Sequence, residues 1–186
     1  MAQSFSIATA VDNSSFFGNL TADDGSLSRI RDAQVCVCTA FGNLAVPDGA
    51  TIDGIQLDME GYAAPGDLDG AVGNWISVSN DGGSTFSTAQ SEETGDFSTN
   101  SGALSLERSG DSTDLWGMTW NATTAADIQV RLAWSTSGGD AVYLDYVKVI
   151  IDYTEAGPTT YESGKGNMHV KNGTIVLKNG KMEFTY

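Results

Sequence analysis

Apolar and polar side chains alternate one residue at a time in short stretches spread along the whole chain. In Ile55-Gln56-Leu57-Asp58-Met59-Glu60 the odd positions are apolar, and in Asp127-Ile128-Gln129-Val130-Arg131-Leu132-Ala133-Trp134 the even ones are. Successive side chains of a strand point to opposite faces, so this period belongs to half-buried β-strands with a core on one side and water on the other. The stretch from Ala141 to Tyr153 is longer and apolar on both faces. Val147, Val149, Ile151 and Tyr153 share one phase, with Lys148 and Asp152 in the other, which predicts a central strand. Asp145 falls in the apolar phase. Either a bulge shifts the phase there, or a buried carboxylate accepts hydrogen bonds from nearby loop amides.

Shorter strands are predicted at Phe5 to Ala10, Val35 to Ala40, Trp75 to Ser79, Thr85 to Ala89, Ala103 to Glu107 and Leu115 to Trp120. Turn formers separate them: Asp24-Gly25, Pro47-Asp48-Gly49, Pro65-Gly66-Asp67, Asp81-Gly82-Gly83 and Ser137-Gly138-Gly139. Helical periodicity is confined to single turns at Asp23 to Asp32 and Thr123 to Asp127. A hydrophobic fraction of 40% supplies a real core. About nine short strands in one such domain predict an all-β fold, a two-layer antiparallel β-sandwich with jelly-roll-like winding.

Charge divides the chain in two. Residues 1–160 hold 22 acids and 5 bases, a net of −17, whereas residues 161–186 hold 2 acids and 4 bases, a net of +2. The first domain is therefore drawn at 1–155, with 156–186 as a linker and a short C-terminal extension. That extension repeats Lys171-Asn172-Gly173 as Lys178-Asn179-Gly180, and each Asn-Gly is a hairpin signal. A three-stranded meander follows, Met168 to Val170, Thr174 to Leu177 and Lys181 to Tyr186. Strands so short bury little alone, so the meander is expected to dock on its own body, a sister subunit or a partner. The whole-chain charge of −15 argues against nucleic acid and against an anionic membrane surface, because nine Lys and Arg cannot neutralise phosphates. The N-terminus has neither the basic start nor the apolar stretch of a signal peptide, so synthesis in a cytoplasm without conventional export is expected.

Reactive chemistry finds little footing. His169 is the one histidine, it lies in the extension, and surface exposure is its expected state. Without a nucleophile elbow beside it, a Ser-His-Asp or Cys-His site is not supported. Cys36 and Cys38 sit two apart on a predicted strand, face the same way and read as small buried hydrophobes, so no disulfide or zinc site is expected. A carboxylate pair of glycosidase type could be drawn from 24 acids, but most fall at turns or on polar strand faces. Asp23, Asp24, Asp67 and Asp69 lie in Gly-containing loops where oxygen ligands to calcium could converge, yet no EF-hand spacing is present. No catalytic, cofactor-binding or metal residues are therefore assigned, and no cofactor is expected. Ser79-Asn80-Asp81-Gly82-Gly83-Ser84-Thr85-Phe86 resembles the Asp-box of sialidases, a hairpin turn remote from their active site. Eight matching residues predict a hairpin and no activity. Trp75, Trp116, Trp120, Trp134 and the six tyrosines could build a sugar platform, but Trp134 is in the core phase. Trp116 and Trp120 share a face that reads as core or subunit interface.

Four phrases in order resemble a domain of tailed-bacteriophage virion proteins: Val46 to Ile55, Ser79 to Phe86, Asp114 to Trp120 and Val142 to Val149. That family is similar to a jelly-roll-type sandwich found in head-decoration, tail and fibre proteins, and it brings no catalytic residues. The resemblance implies a non-enzymatic structural protein of a virion: a capsid decoration (cement) protein or a tail-associated adaptor or fibre component. It would be a homo-oligomer, expected as a trimer, with other virion proteins as partners. The alternative is a carbohydrate-binding module or adhesin on the same sandwich, and a weaker third is a glycan hydrolase. The segment after Gly157 lies outside the resemblance. Its Tyr161, Met168, Ile175, Leu177, Met182 and Phe184 make it the expected docking element.

Overall fold

A computed structural model describes residues 1–12, 17–31, 34–63, 75–91, 97–98, 100–133, 141–157, 174–178 and 181–185. The alternating stretch at residues 55–60 and the long apolar run from Ala141 become the two spines of one sheet. Strand β5 (Thr51–Ala63) runs antiparallel to β9 (Ala141–Thr154), and β1 (Ala2–Ile7) and β3 (Ser28–Arg31) take successive parts of the other edge of β9. Strand β7 (Ser105–Ser109) closes the far side. The second sheet is β2 (Ala10–Val11), β4 (Val35–Thr39), β8 (Gln129–Ala133) and β6 (Ile76–Ser79), in that order. Residues 85–90 fold back along β6, with Ser87 N donating to Val78 O at 2.8 Å and Gln90 bridging Ile76. The orders β3-β9-β5-β7 and β4-β8-β6-(85–90) are jelly-roll winding, because β3 to β6 alternate between the layers and β7 to β9 return between them.

The two sheets enclose one interior. Ile55, Leu57 and Met59 of β5 and Val147, Val149 and Ile151 of β9 face Cys36 and Cys38 of β4, Ile76 and Val78 of β6, and Val130 and Leu132 of β8. Every one of these has lost all contact with solvent. Large apolar side chains complete this core: Phe17 and Leu20 beside a 3-10 turn at Gly18–Leu20, Phe41, and Trp75 tilted against Phe97 at 6.4 Å between ring centres. The single α-helix among the described residues, α1 (Ala122–Ala126), opens on a capping box. Asn121 Oδ1 accepts from Thr124 N at 3.0 Å, and Thr124 Oγ1 accepts from Asn121 N at 3.0 Å.

Three sequence-based expectations need correction. Leu115 to Trp120 is a turn rather than a strand: Trp116 and Gly117 have φ of +56° and +66°, and Asp114 Oδ1 accepts from Trp116 N at 2.6 Å. Asp23 to Asp32, as far as its described residues 23–31, holds no helical turn. It is a loop leading into β3, which the unfilled edge of β9 recruits. Thr85 to Ala89 makes hydrogen bonds to β6 without becoming a regular strand. The C-terminal extension appears as the hairpin β10 (Thr174–Lys178) and β11 (Lys181–Thr185), whose strands pair with each other and with no other strand among the described residues. Met168 to Val170, the first strand of the expected meander, lies outside the described residues.

Candidate functional site

The groups with chemical potential gather on the outer face of the first sheet, and the register explains how. Along β5, Gln56, Asp58, Glu60 and Tyr62 alternate outward; their partners on β9 are Ile150, Lys148, Tyr146 and Tyr143. The step from Glu60↔Tyr146 to Gly61↔Leu144 leaves Asp145 as the extra residue of a β-bulge. Both readings of Asp145 therefore hold together. The bulge turns it out of the core phase, and its carboxylate, 1% exposed, accepts from Gly25 N at 3.0 Å and Asp24 N at 3.5 Å. Gly61 is needed at this place because a Cβ there would strike Tyr143 O.

A bridge between Thr21 and Tyr146 lays the Asp23 loop over this bulge. Carboxylate oxygens of Asp23, Glu60 and Asp145 then lie within 4.8 Å of one another, the one such grouping of potential metal ligands among the described residues. Burial, then Asp23 and Asp145, push the Glu60 carboxyl above its usual range. Burial together with Glu60, Asp23, Asp58 and Asp145 pushes the Tyr146 hydroxyl up to about 12. These three acids could hold a hard cation through oxygen. Asp23 was a candidate for such a role from its loop; Glu60 was not, and Asp24 contributes its amide rather than its carboxylate. Asp67 and Asp69 lie outside the described residues.

Two other buried carboxylates, Asp58 and Asp152, are engaged in holding the sheet. Asp58 takes Arg108 Nε at 2.7 Å and Lys148 Nζ at 2.8 Å. Burial alone would raise its carboxyl, but the two cations win and hold it below the usual range. Asp152 accepts from Gln3 Nε2 at 2.8 Å and Gln56 Nε2 at 2.5 Å, tying β1 and β5 to β9. On the surface, the Asp-box forms its hairpin as expected. Asp81 accepts from Thr85 N at 2.9 Å, Thr85 Oγ1 at 2.7 Å and Ser79 Oγ at 2.7 Å, and these bonds lower its carboxyl to about 2. Phe86 lies half-buried under the Arg131 guanidinium, 4.4 Å from the ring centre, outside the core.

An open cleft of about 350 Å³ lies between this hairpin, the end of β4 and the residues after α1, lined by Thr39, Asp81, Asp127, Ile128 and Gln129 among others. Its Asp81 carboxylate is already bonded to Thr85 and Ser79. Trp75 and Trp116 are 1% and 3% exposed and Trp120 is buried, so a sugar platform built on them is ruled out; Trp134 and His169 lie outside the described residues. Trp116 Nε1 donates to Ile55 O at 3.0 Å, a core role. The aromatic row on the outer face is instead Tyr62 and Tyr143, stacked at 4.6 Å with rings 1° from parallel, with Arg29 5.4 Å from Tyr143 on its other flank. Those neighbours cover both faces of the Tyr143 ring, which are what a sugar would stack upon. Cys36 and Cys38 are free thiols fully inside; their mutual hydrogen bond, burial and Asp12 push the Cys38 thiol well up, against thiolate chemistry.

Fold and surface together define a jelly-roll-wound β-sandwich with a polar network on one outer face and an appended hairpin. Comparison with protein-family models, with curated proteins and with solved structures returned no match to this chain.

Proposed function

We propose that this chain is a non-enzymatic structural protein of a tailed-phage virion, either a capsid decoration protein on the head or an adaptor or fibre component on the tail. It works through protein–protein contacts, as a homo-oligomer, and resides in the particle. The observation that carries this reading is how the chain divides its side chains. Asp58, Asp145 and Asp152 in the sheet and Asp81 in its hairpin, four carboxylates with the burial or position that chemistry would want, each hold strands or loops together. The hairpin β10–β11 adds a separate element for contact. The four phrases that resemble phage virion domains support the particle assignment, and jelly-roll winding agrees with it. The test is quantitative mass spectrometry of gradient-purified particles from the source lysate. The chain is expected at a fixed copy number per particle; recovery only in the soluble fraction would refute the assignment.

A further inference from the structure

We infer that Asp23, Glu60 and Asp145 hold one calcium ion, which fastens the loop before β3 to the bulge of β9. This goes beyond the particle assignment and stands without it. Three separate elements bring the carboxylates together. Glu60 stands on β5, Asp145 is the extra residue of the β9 bulge, and the bridge between Thr21 and Tyr146 lays the loop that carries Asp23 over both. Their oxygens lie within 4.8 Å of one another. Asp58, two residues before Glu60, has its charge balanced by Arg108 and Lys148. Among the described residues no lysine or arginine pairs with the trio, and the Asp23 and Glu60 carboxylates accept no hydrogen bond. Three like charges at such spacing repel, and a cation between them turns that repulsion into attraction.

A second feature of the same place points to a ligand. Tyr146 is the cross-strand partner of Glu60, follows Asp145 in the chain and is 7% exposed, yet its hydroxyl has no hydrogen-bond partner among the described residues. After burial, the charges that raise this hydroxyl most are Glu60 and Asp23, so it is turned toward the carboxylates. A buried polar group without a protein partner is normally satisfied by an ion or an ordered water. A hydrated ion among the three acids does this, one of its waters accepting from the hydroxyl. The donors select calcium. All three are carboxylates, the ligands of a hard cation. Calcium takes irregular sets of about six to eight oxygens at about 2.3–2.6 Å, so opposite ligands stand about 4.6–5.2 Å apart, a span that the 4.8 Å envelope matches. Magnesium demands a tight octahedron, which ligands on a strand, a bulge and a loop do not preset. The amides of Asp24 and Gly25 fix the Asp145 carboxylate and leave lone pairs on both its oxygens.

Calorimetric titration of the EDTA-treated full-length chain with calcium chloride provides the test, in about 0.15 M KCl to screen diffuse attraction to a chain of charge −15. One ion per chain is expected, with a dissociation constant of roughly 0.1–1 mM, and about 10 mM calcium should raise the melting temperature by roughly 3–10 °C. Glu60→Gln should weaken binding at least about tenfold. In EDTA it should melt no lower than wild type, because it also relieves repulsion. Glu155→Gln, which removes an exposed carboxylate at the far end of β9, should leave binding unchanged. No saturable binding up to about 10 mM calcium overturns the inference. So does binding that Glu60→Gln leaves intact, which would put the ion elsewhere, or a Glu60→Gln chain that melts well below wild type in EDTA, which would make Glu60 a structural bond. Magnesium binding as tight as calcium would refute the choice of ion. Each of these results is separate from whether the chain is found in particles.

Discussion

Replacing Asp58 by asparagine tests whether the outer face of the first sheet is held by charge. Asp58 is 2% exposed at its side chain, while its partners Arg108 and Lys148 keep 40% and 25% of theirs. Breaking a fully buried ion pair costs about 3–5 kcal/mol, but these cations can rehydrate, which lowers the expectation to roughly 2–3 kcal/mol at about pH 7. For a chain of this size that is a fall in melting temperature of about 4–12 °C. The folded carboxyl lies below its ordinary value, so its contribution is complete above the unfolded pKa of about 3.9 and is lost as pH falls through the folded value. Urea unfolding of wild type and Asp58→Asn at about pH 7 and about pH 3 reads this directly. The gap between the two proteins should narrow in acid. An equal gap at both values would mean that the amide disturbs packing and that the ion pairs contribute little.

Three further outcomes follow from the geometry. Trp75→Ala removes a 1%-exposed side chain and should lower stability by about 3–5 kcal/mol in chemical denaturation; a well-folded variant that had lost glycan binding alone would contradict its core placement. Gly83 has φ of +86°, and a Cβ there would lie 2.5 Å from Gln129 Oε1, a movable atom, so the backbone sets the cost. Gly83→Ala should lose roughly 1–2 kcal/mol by thermal melting and Gly83→Asn less, since Asn tolerates the left-handed region; equal losses would place the strain elsewhere. Asp145 shares calcium with Asp23 and Glu60, so EDTA should lower the melting temperature of the calcium-equilibrated chain by several degrees, and added calcium should restore it. An unchanged melt would mean that the two loop amides satisfy Asp145 by themselves.

The long strands were legible because period-two alternation survives wherever a strand lies between one core and water. β5 shows it from Ile55 to Glu60, β9 was legible instead as a long run apolar on both faces, and the phase break at Asp145 was visible as a carboxylate in an apolar position. The hairpin at Asp81 and the pairing of β10 with β11 were legible because the turn signals that mark them, Asp81-Gly82-Gly83 and Asn179-Gly180, are local in sequence. What escaped was decided by distant partners. Ser28 to Arg31 holds one buried large apolar residue, Ile30, and becomes a strand because β9 offers it an edge. Trp116 and Trp120 alternate like strand residues, yet their indole N–H groups bond Ile55 O and Leu115 O across a turn. Gly117 between them was the available signal of that turn. Glu60 meets Asp23 and Asp145 only after three elements are assembled, so no spacing in the sequence could reveal the cluster. Asp58 with Arg108 and Lys148 is equally non-local.

The claim that this chain serves by taking its place in a particle is tested most directly by electron microscopy of virions carrying gold-labelled antibody against it. Gold at regular positions on the capsid or along the tail is the predicted image, and which of the two it marks would separate decoration from tail component. Particles bare of gold, with the chain detected only free in the lysate, would contradict the account.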